Sequence, residues 1–248
     1  MQDLVIYHLI KNNITMNVRS FLLFGLLVFT GSIYGQSLLG AWEAILPGDS
    51  IRSVVIITDG YQVATQYTTD GRFKSTNGGS WSLEGDQMTE VVEFDTENPD
   101  RVGSEVTFTI DLTDEKLSVP EGPTWTRIDD GTPGALNGAW LMSGRKRDGE
   151  IQSRDTNRPR KTMKILSGTR FQWIAYNTET KQFSGTGGGT YTTEGGKYTE
   201  NIEFFSRDDS RVGASLEFDY ELIDGAWHHS GLSSRGQPLY EIWSIREK

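Results

Sequence analysis

Apolar and polar residues alternate with a period of two along much of the chain after residue 36. Residues 107–112, "TFTIDL", and 216–222, "LEFDYEL", show the alternation, and 54–58, "VVIIT", is a short apolar run. Segments of this kind are typical of half-buried or fully buried β-strands. Turn sequences such as "TTDG" at 68–71 and "IDG" at 223–225 separate them. The pattern therefore predicts an all-β fold after the N-terminal segment.

The chain also repeats itself once. Residues 88–103, "MTEVVEFDTENPDRVG", are echoed by 198–213, "YTENIEFFSRDDSRVG", and "LLGAW" at 38–42 is echoed by "LNGAW" at 136–140. The matches occur in the same order in both copies, so we interpret the chain as a tandem duplication. The joint is "DDGTPGA", 129–135, whose Asp, Gly and Pro residues favour a short linker.

Each copy has room for about seven to nine short antiparallel strands, which favours a sandwich or an up-and-down barrel. A closed barrel removes the exposed strand edges that such a sheet would otherwise present. The predicted organisation is an N-terminal extension and signal peptide at 1–35, a first barrel at 36–130 and a second barrel at 131–248.

A Gly-x-Trp opens each copy and an arginine closes it. The residues are Gly40, Trp42 and Arg127 in the first copy and Gly138, Trp140 and Arg246 in the second. This pattern resembles the lipocalin-type (calycin) barrel. More narrowly, "GTGGGTYT…YTENIEFFS…WHHSGLSS…EIW" is similar to lipocalin-like exported proteins of Bacteroidetes-type bacteria, generally of unknown function. The resemblance implies two tandem lipocalin-like antiparallel up-and-down β-barrels, in each of which the arginine packs across the tryptophan at the barrel base.

The N-terminal segment predicts export. Arg19 precedes the apolar run "FLLFGLLVF" at 21–29, which is short for a membrane span, and Gly35 offers a small residue for cleavage. We expect Met16 to be the true start and the mature protein to be periplasmic or secreted, without a stable membrane anchor after cleavage. An uncleaved anchor is the alternative. The sequence has no cysteine, which excludes disulfides, thiolate metal sites and a lipoprotein anchor.

The charge balance narrows the class of partner. The formal net charge is −10 and the basic residues are scattered along the chain. A surface that follows a phosphate backbone needs clustered Lys and Arg, so nucleic acid is not an expected partner. No cofactor and no metal site are predicted: adjacent histidines on a strand face opposite ways, and the acidic loops 95–101 and 206–211 lack the EF-hand order of ligands.

Candidate ligand-binding residues are concentrated in the second copy. In a regular strand Glu200 and Phe204 share one face, which we expect to be the barrel interior. A carboxylate there needs a partner or becomes a polar contact for a ligand. With aromatic residues and a histidine, this predicts a pocket for a small apolar or amphipathic molecule, lined by Trp173, Tyr176, Glu200, Phe204 and His228. The leading hypothesis is thus a non-catalytic binding protein.

Other interpretations of the same residues remain open. Glu200 would have a purely structural role if it were paired with an arginine such as Arg170. A histidine would have a purely structural role if it stabilised the hairpin at 227–231. A second hypothesis is a cell-envelope module that binds protein or glycan on its outer surface. A third is an enzyme in which Glu200 and His228 form an acid–base pair inside a cavity. A hydrolase with Ser230 as nucleophile lacks a nucleophile elbow.

Overall fold

The computed structural model describes residues 37–46, 50–120, 122–233 and 236–247. β-Strands dominate this part of the chain, and the predicted all-β fold of two tandem barrels is confirmed. The strands of the first copy are β1 Gly40–Leu46, β2 Ile51–Thr58, β3 Tyr61–Thr68, β4 Phe73–Glu84, β5 Gln87–Asp95, β6 Glu105–Thr109, β7 Asp111–Leu112, β8 Lys116–Ser118 and β9 Thr124–Asp129. Those of the second are β10 Gly138–Arg147, β11 Glu150–Ser153, β12 Arg160–Leu166, β13 Arg170–Asn177, β14 Gln182–Glu194, β15 Lys197–Phe205, β16 Ser215–Ile223, β17 Ala226–Leu232 and β18 Pro238–Ile245.

Both sheets are antiparallel and follow an up-and-down order. In the second copy β10 pairs with both β12 and β18, so the sheet closes into a barrel, and β11 is added at the edge through its hairpin with β10. In the first copy the order is β6-β5-β4-β3-β2-β1-β9-β8-β7. Since β6 and β7 are separated only by Ile110, one interrupted strand connects the two ends of that sheet. The predictions for residues 1–35, including the signal peptide, lie outside the described residues.

An extra residue breaks the register at the same place in each copy. Gly78 pairs with Phe94 while Gly79 pairs with Val92, so Glu93 is a β-bulge. Gly188 and Gly189 pair with Phe204 and Ile202 in the same manner, which makes Glu203 the equivalent bulge. A bulge reverses the alternation of side chains that follow it. Phe94 and Phe204 therefore leave the barrel interiors.

Glycine is required opposite each bulge because the backbones approach closely. A side-chain carbon built on Gly79 would overlap the carbonyl oxygen of Val91, and one built on Gly189 would overlap that of Asn201. The paired glycines at 78–79 and 188–189 thus have a structural role that accounts for their repetition.

Phe94 and Phe204, turned outward by the bulges, join a core between the two barrels. Residues 37–248 make one compact unit, and an apolar cluster is shared by the outer faces of β2, β3 and β5 and of β10, β12, β13 and β15. Its buried members are Val54, Ile56, Tyr61, Val63, Tyr67, Phe94, Ala139, Leu141, Met163, Ile165, Ile174, Tyr176 and Phe204. The barrels are therefore joined by a buried apolar face as well as by their linker.

The contacts across this shared core are reciprocal. Tyr67 of the first barrel stacks on Phe204 of the second, with ring centroids 4.7 Å apart, and Tyr176 packs on Phe94 at 4.8 Å. The two tyrosine hydroxyls donate to the bulge carboxylates: Tyr67 to Glu203 at 2.7 Å, and Tyr176 to Glu93. The repeated Tyr, Glu and Phe thus meet as two equivalent sets, and the two sequence copies encode one interface with approximate two-fold symmetry.

Arginines complete each set. Arg246 forms a bidentate ion pair with Glu93, at 2.6 and 2.9 Å. Glu203 forms ion pairs with Arg170 at 2.6 Å and with Arg52 at 3.1 Å. Burial alone would raise the pKa of Glu203, but Arg170 and Tyr67 outweigh it, so the pKa is lowered. Both bulge carboxylates therefore accept hydrogen bonds from a tyrosine hydroxyl of the opposite barrel and from an arginine.

The two Trp–Arg pairs implied by the lipocalin resemblance differ in the structure. The Arg127 guanidinium lies 3.9 Å from the ring centroid of Trp42 and donates to the carbonyl of Leu39, so this pair is brought together. Arg246 instead lies 4.0 Å from the ring centroid of Tyr61 in the other barrel. Trp42 pairs with Arg127, but Trp140 pairs with Ile245. Arg246, the next residue, therefore lies on the opposite face of the sheet from Trp140, where it meets Glu93 instead.

A second connection between the barrels involves the end of β9. The buried Asp129 carboxylate accepts hydrogen bonds from the backbone N–H groups of Gly168 and Thr169, at 3.0 Å each, and from the hydroxyls of Ser167 and Thr169. These donors belong to the β12–β13 turn. The carboxylate therefore fixes the start of the linker against the second barrel.

We expect Phe204→Ala to destabilise both barrels together. Truncation of a buried Phe typically costs about 3–5 kcal/mol, and Phe204 touches residues of both copies. Chemical denaturation followed by tryptophan fluorescence should show one cooperative transition at a lower midpoint. The matched control is Ile151→Ala, since Ile151 is 60% exposed on β11. Two separate transitions, only one of them shifted, would contradict the shared core.

Candidate functional site: an apolar cleft in the first barrel

A cleft of about 370 Å³ opens into the first barrel. Its wall is mostly apolar and comes from β2, β3, β4, β5, β6, β8 and β9. Apolar side chains of the lining include Val55, Ala64, Met88, Phe108, Leu117, Val119 and Trp125. Trp42, fully buried, closes the interior beside β1, and its indole N–H donates to the carbonyl of Leu38 at 3.0 Å.

A hydrogen-bonded polar pair lies in this wall, to which Asn77 and Thr109 also contribute polar side chains. Glu90 and Gln62 both line the cleft, and the Gln62 amide donates to the Glu90 carboxylate at 2.6 Å. Burial raises the pKa of Glu90, against the opposing effect of the hydrogen bond from Gln62. The pair gives the cleft one hydrogen-bonding position whose carboxyl group takes up a proton more readily than an exposed glutamate.

The interior of the second barrel is filled by its own side chains. The buried aromatic residues there are Trp140, Phe171, Tyr191, Tyr198, Phe218, Trp227 and Trp243. Many of these rings pack edge to face, as Trp227 does on Tyr198 at a centroid separation of 5.0 Å. An eight-stranded barrel is just wide enough for side chains to plug it.

A buried ion pair lies among these rings. The Lys164 ammonium contacts the Glu200 carboxylate at 2.7 Å, and Tyr198 donates to the same carboxylate oxygen at 2.8 Å. The ammonium is also 4.9 Å from the ring centroids of Tyr198 and Trp227 and 5.3 Å from that of Trp243. The protein's own lysine therefore occupies an aromatic cage of the kind that binds cationic ligands.

A histidine and a second carboxylate extend the polar group. His229 is 2% exposed, its Nδ1 is 3.3 Å from a Glu241 carboxylate oxygen, and its Nε2 has no hydrogen-bond partner among the described residues. Burial, then the nearby Lys164 charge, lowers the pKa of His229. Burial therefore favours the neutral imidazole, although Glu241 and Glu200 act in the opposite direction.

Register identifies which side chains distinguish the two interiors. Val55 pairs with Ala64 in the first barrel, and Lys164 pairs with Trp173 in the second. Lys164 and Trp173 thus stand where the first copy has Val55 and Ala64. The same comparison relates Met88 to Tyr198, Leu117 to Trp227 and Val119 to His229. Because the first barrel has smaller or aliphatic side chains at these positions, its interior retains an open cleft.

The structure separates the residues predicted to line one pocket. Glu200 lies inside the second barrel, and Trp173 packs partly buried against the same core. Tyr176 and Phe204 instead belong to the core between the barrels. The predicted inward position of Phe204 is wrong because the bulge at Glu203 reverses the strand alternation on which it depended.

The histidine that faces inward is His229 rather than His228. His228 is partly exposed, and its Nδ1 lies 2.8 Å from the Tyr240 hydroxyl. Glu200 is engaged by Lys164 and Tyr198 inside the barrel. The Glu200–His228 pair that the enzyme hypothesis requires is thus not formed. Arg170, considered as a partner for Glu200, binds Glu203 instead.

Two features of the barrel interiors are not among the sequence-based predictions. One is Lys164, although its position between Met163 and Ile165 places it on the opposite strand face from them. The other is the apolar cleft of the first barrel: the aromatic residues of the second copy predict a pocket there, but they fill that interior instead. Side-chain size at equivalent positions, such as Ala64 and Trp173, is the sequence signal that distinguishes the two interiors.

Comparisons with protein-family models and with curated proteins find no match for this chain. Within the described ranges, no group of three or more His, Cys, Asp or Glu side chains is arranged to hold a metal ion. No helix in that part of the chain is long and apolar enough to span a membrane. The fold alone does not specify a function, so the chemistry of the cleft is the guide to what this protein binds.

We expect Lys164→Met to destabilise the protein by about 3–5 kcal/mol, because it leaves the Glu200 carboxylate buried without its cation. The double variant Lys164→Met/Glu200→Leu should recover much of that loss, since a buried ion pair can be replaced by apolar side chains of similar volume. Urea denaturation of the two single variants and the double variant measures the coupling. Additive losses in the double variant would contradict a direct pair.

Glu90→Gln should change the pH dependence of stability. The folded protein holds a proton on Glu90 more tightly than the unfolded chain does, so this contribution is complete below the unfolded pKa and is lost as pH rises through the folded pKa. The variant should therefore gain more stability relative to the wild type at about pH 8 than at about pH 4. Glu105→Gln, an exposed position on neighbouring β6, is the control. An equal difference at both pH values would contradict the assignment.

Proposed function

We propose that the protein is an exported, non-catalytic binding protein whose first barrel takes up a small apolar or amphipathic ligand. The observation that carries the proposal is the apolar cleft of about 370 Å³. Small-molecule sites typically have volumes of about 300–1,000 Å³ and combine an apolar wall with a few polar groups. The cleft has both features.

The polar pair favours a particular kind of ligand. A ligand group beside Glu90 must satisfy a carboxyl and an amide that already bind each other at 2.6 Å. A hydroxyl or an amide can donate to one and accept from the other, whereas a ligand carboxylate would face Glu90 unfavourably. We therefore propose an apolar body with one uncharged hydrogen-bonding group.

The divergence of the two copies supports assigning the site to the first barrel. Both barrels keep the interface residues, but the second replaces small interior side chains with Lys164, Trp173 and Trp227. The second barrel then acts as a rigid partner that buries the outer face of the first. Export remains part of the proposal, on the basis of the apolar run at 21–29.

Exchanging residues between the copies tests the proposal. Trp173 packs against Gly187, where an added side-chain carbon would collide with its indole nitrogen, and the corresponding pair in the first barrel is Ala64 and Asn77. The double variant Ala64→Trp/Asn77→Gly therefore introduces the second copy's filling pair into the cleft. We expect it to weaken binding of the neutral fluorescent probe N-phenyl-1-naphthylamine by at least about tenfold, as loss of the apolar site predicts.

Trp173→Ala is the matched control, because it alters the equivalent position of the filled barrel. Its probe affinity should stay close to that of the wild type. Thermal unfolding of each variant checks that the fold is kept. Equal probe binding by the wild type and the folded double variant, or loss of binding in the control alone, would overturn the assignment to the first barrel.

A further inference from the structure

A second cleft, of about 530 Å³, lies beside β10, β11 and the start of β12 in the second barrel. Four arginines line it together with polar and small residues. The full lining is Met142, Gly144, Arg145, Gln152, Ser153, Arg154, Asp155, Arg158 and Arg160. It is separate from the apolar cleft, which is lined entirely by residues of the first barrel.

The segment that forms this cleft is peculiar to the second copy. In the first copy β1 ends at Leu46 and β2 begins at Ile51, whereas in the second copy residues 148–159 separate β10 from β12 and include β11. Between 145 and 161 the sequence holds seven basic and three acidic residues, within a chain of net charge −10. The extra segment together with the strand ends that flank it, residues 145–161, thus has a formal net charge of +4, opposite in sign to that of the whole chain.

Neutral groups hold the central arginine in place. The Arg154 guanidinium donates to the Thr162 hydroxyl at 3.4 Å and to the Arg160 carbonyl at 3.3 Å, and its backbone N–H donates to the Ser143 carbonyl at 2.7 Å. It also lies 3.6 Å from the Met142 sulfur. These contacts orient the guanidinium without neutralising its charge.

The other arginines are also poorly neutralised by the described residues. The Arg145 Nε–H donates to the Gln152 amide oxygen at 3.1 Å. Asp155 is the one carboxylate in the lining, and its oxygen is 3.7 Å from Arg158, with both side chains more than half exposed. Exposed pairs of this kind contribute little. Burial, then the charges of Arg160, Arg158 and Arg145, lowers the pKa of Arg154.

We propose that this basic cleft binds a small organic ligand carrying two or more oxyanion groups, such as phosphate esters or carboxylates. Guanidinium groups match both through paired N–H donors, and a multivalent anion would relieve the repulsion among the four arginines. The cleft is bounded and the chain is acidic overall, which disfavours an extended polyanion such as nucleic acid.

Calorimetric titration with pyrophosphate and with citrate, at constant ionic strength set with NaCl, tests the proposal. We expect at least one of the two anions to bind. Binding of pyrophosphate but not citrate would indicate a ligand with phosphate esters, and binding of citrate but not pyrophosphate would indicate a polycarboxylate ligand. Arg154→Gln and Arg158→Gln should each weaken binding by about tenfold or more, as loss of a charge-assisted hydrogen bond predicts. Arg147→Gln, on the same hairpin but outside the lining, should change affinity by less than about threefold.

Failure of both anions to bind would overturn the proposal. An equal loss of anion affinity in Arg147→Gln and Arg158→Gln would also overturn it, because it would indicate general electrostatic attraction. Since Arg158 is exposed, its variant should fold normally even where Arg154→Gln does not. Binding of N-phenyl-1-naphthylamine should be unchanged in these arginine variants. The two proposed sites are therefore tested independently of each other.

Discussion

The bulged residue in β5 and in β15, Glu93 and Glu203, is the constraint on which the rest of the structure depends. Each bulge turns the next phenylalanine outward and places a carboxylate beside it. The outward rings then stack on tyrosines of the opposite barrel, and the carboxylates receive the tyrosine hydroxyls and an arginine. Without this local change in register, both phenylalanines would point into their own barrels and the shared core would lose two of its rings.

Duplication has preserved the interface and freed the interiors to diverge. The interface uses the same residue types twice, because an approximate two-fold arrangement makes each copy the partner of the other. Inside the barrels no such reciprocity applies. The second interior is packed with rings around Lys164 and Glu200, while the first keeps Ala64 and Val55 and an open cleft. A filled barrel that buries the outer face of an open one provides a rigid support for the site.

The two clefts differ in chemistry as well as place. The apolar cleft lies within the first barrel, and its polar contact is the Gln62–Glu90 pair. The basic cleft lies beside an added hairpin of the second barrel and is lined by four arginines. Each copy thus carries a cleft that its duplicate lacks, so the same fold presents two clefts of different chemistry.

The sequence by itself determined the all-β fold and the repeated unit, because these depend on period-two patterning and repetition. The Arg127–Trp42 stack, which the lipocalin resemblance implies, is also formed. The sequence did not determine which way Phe204 points, since one bulged residue inverts the alternation from which orientation is inferred. It also did not show that Arg246 crosses to Glu93, or that Lys164 fills the second interior. Those contacts join residues far apart in the chain, and only the packing of two closed sheets against each other decides them.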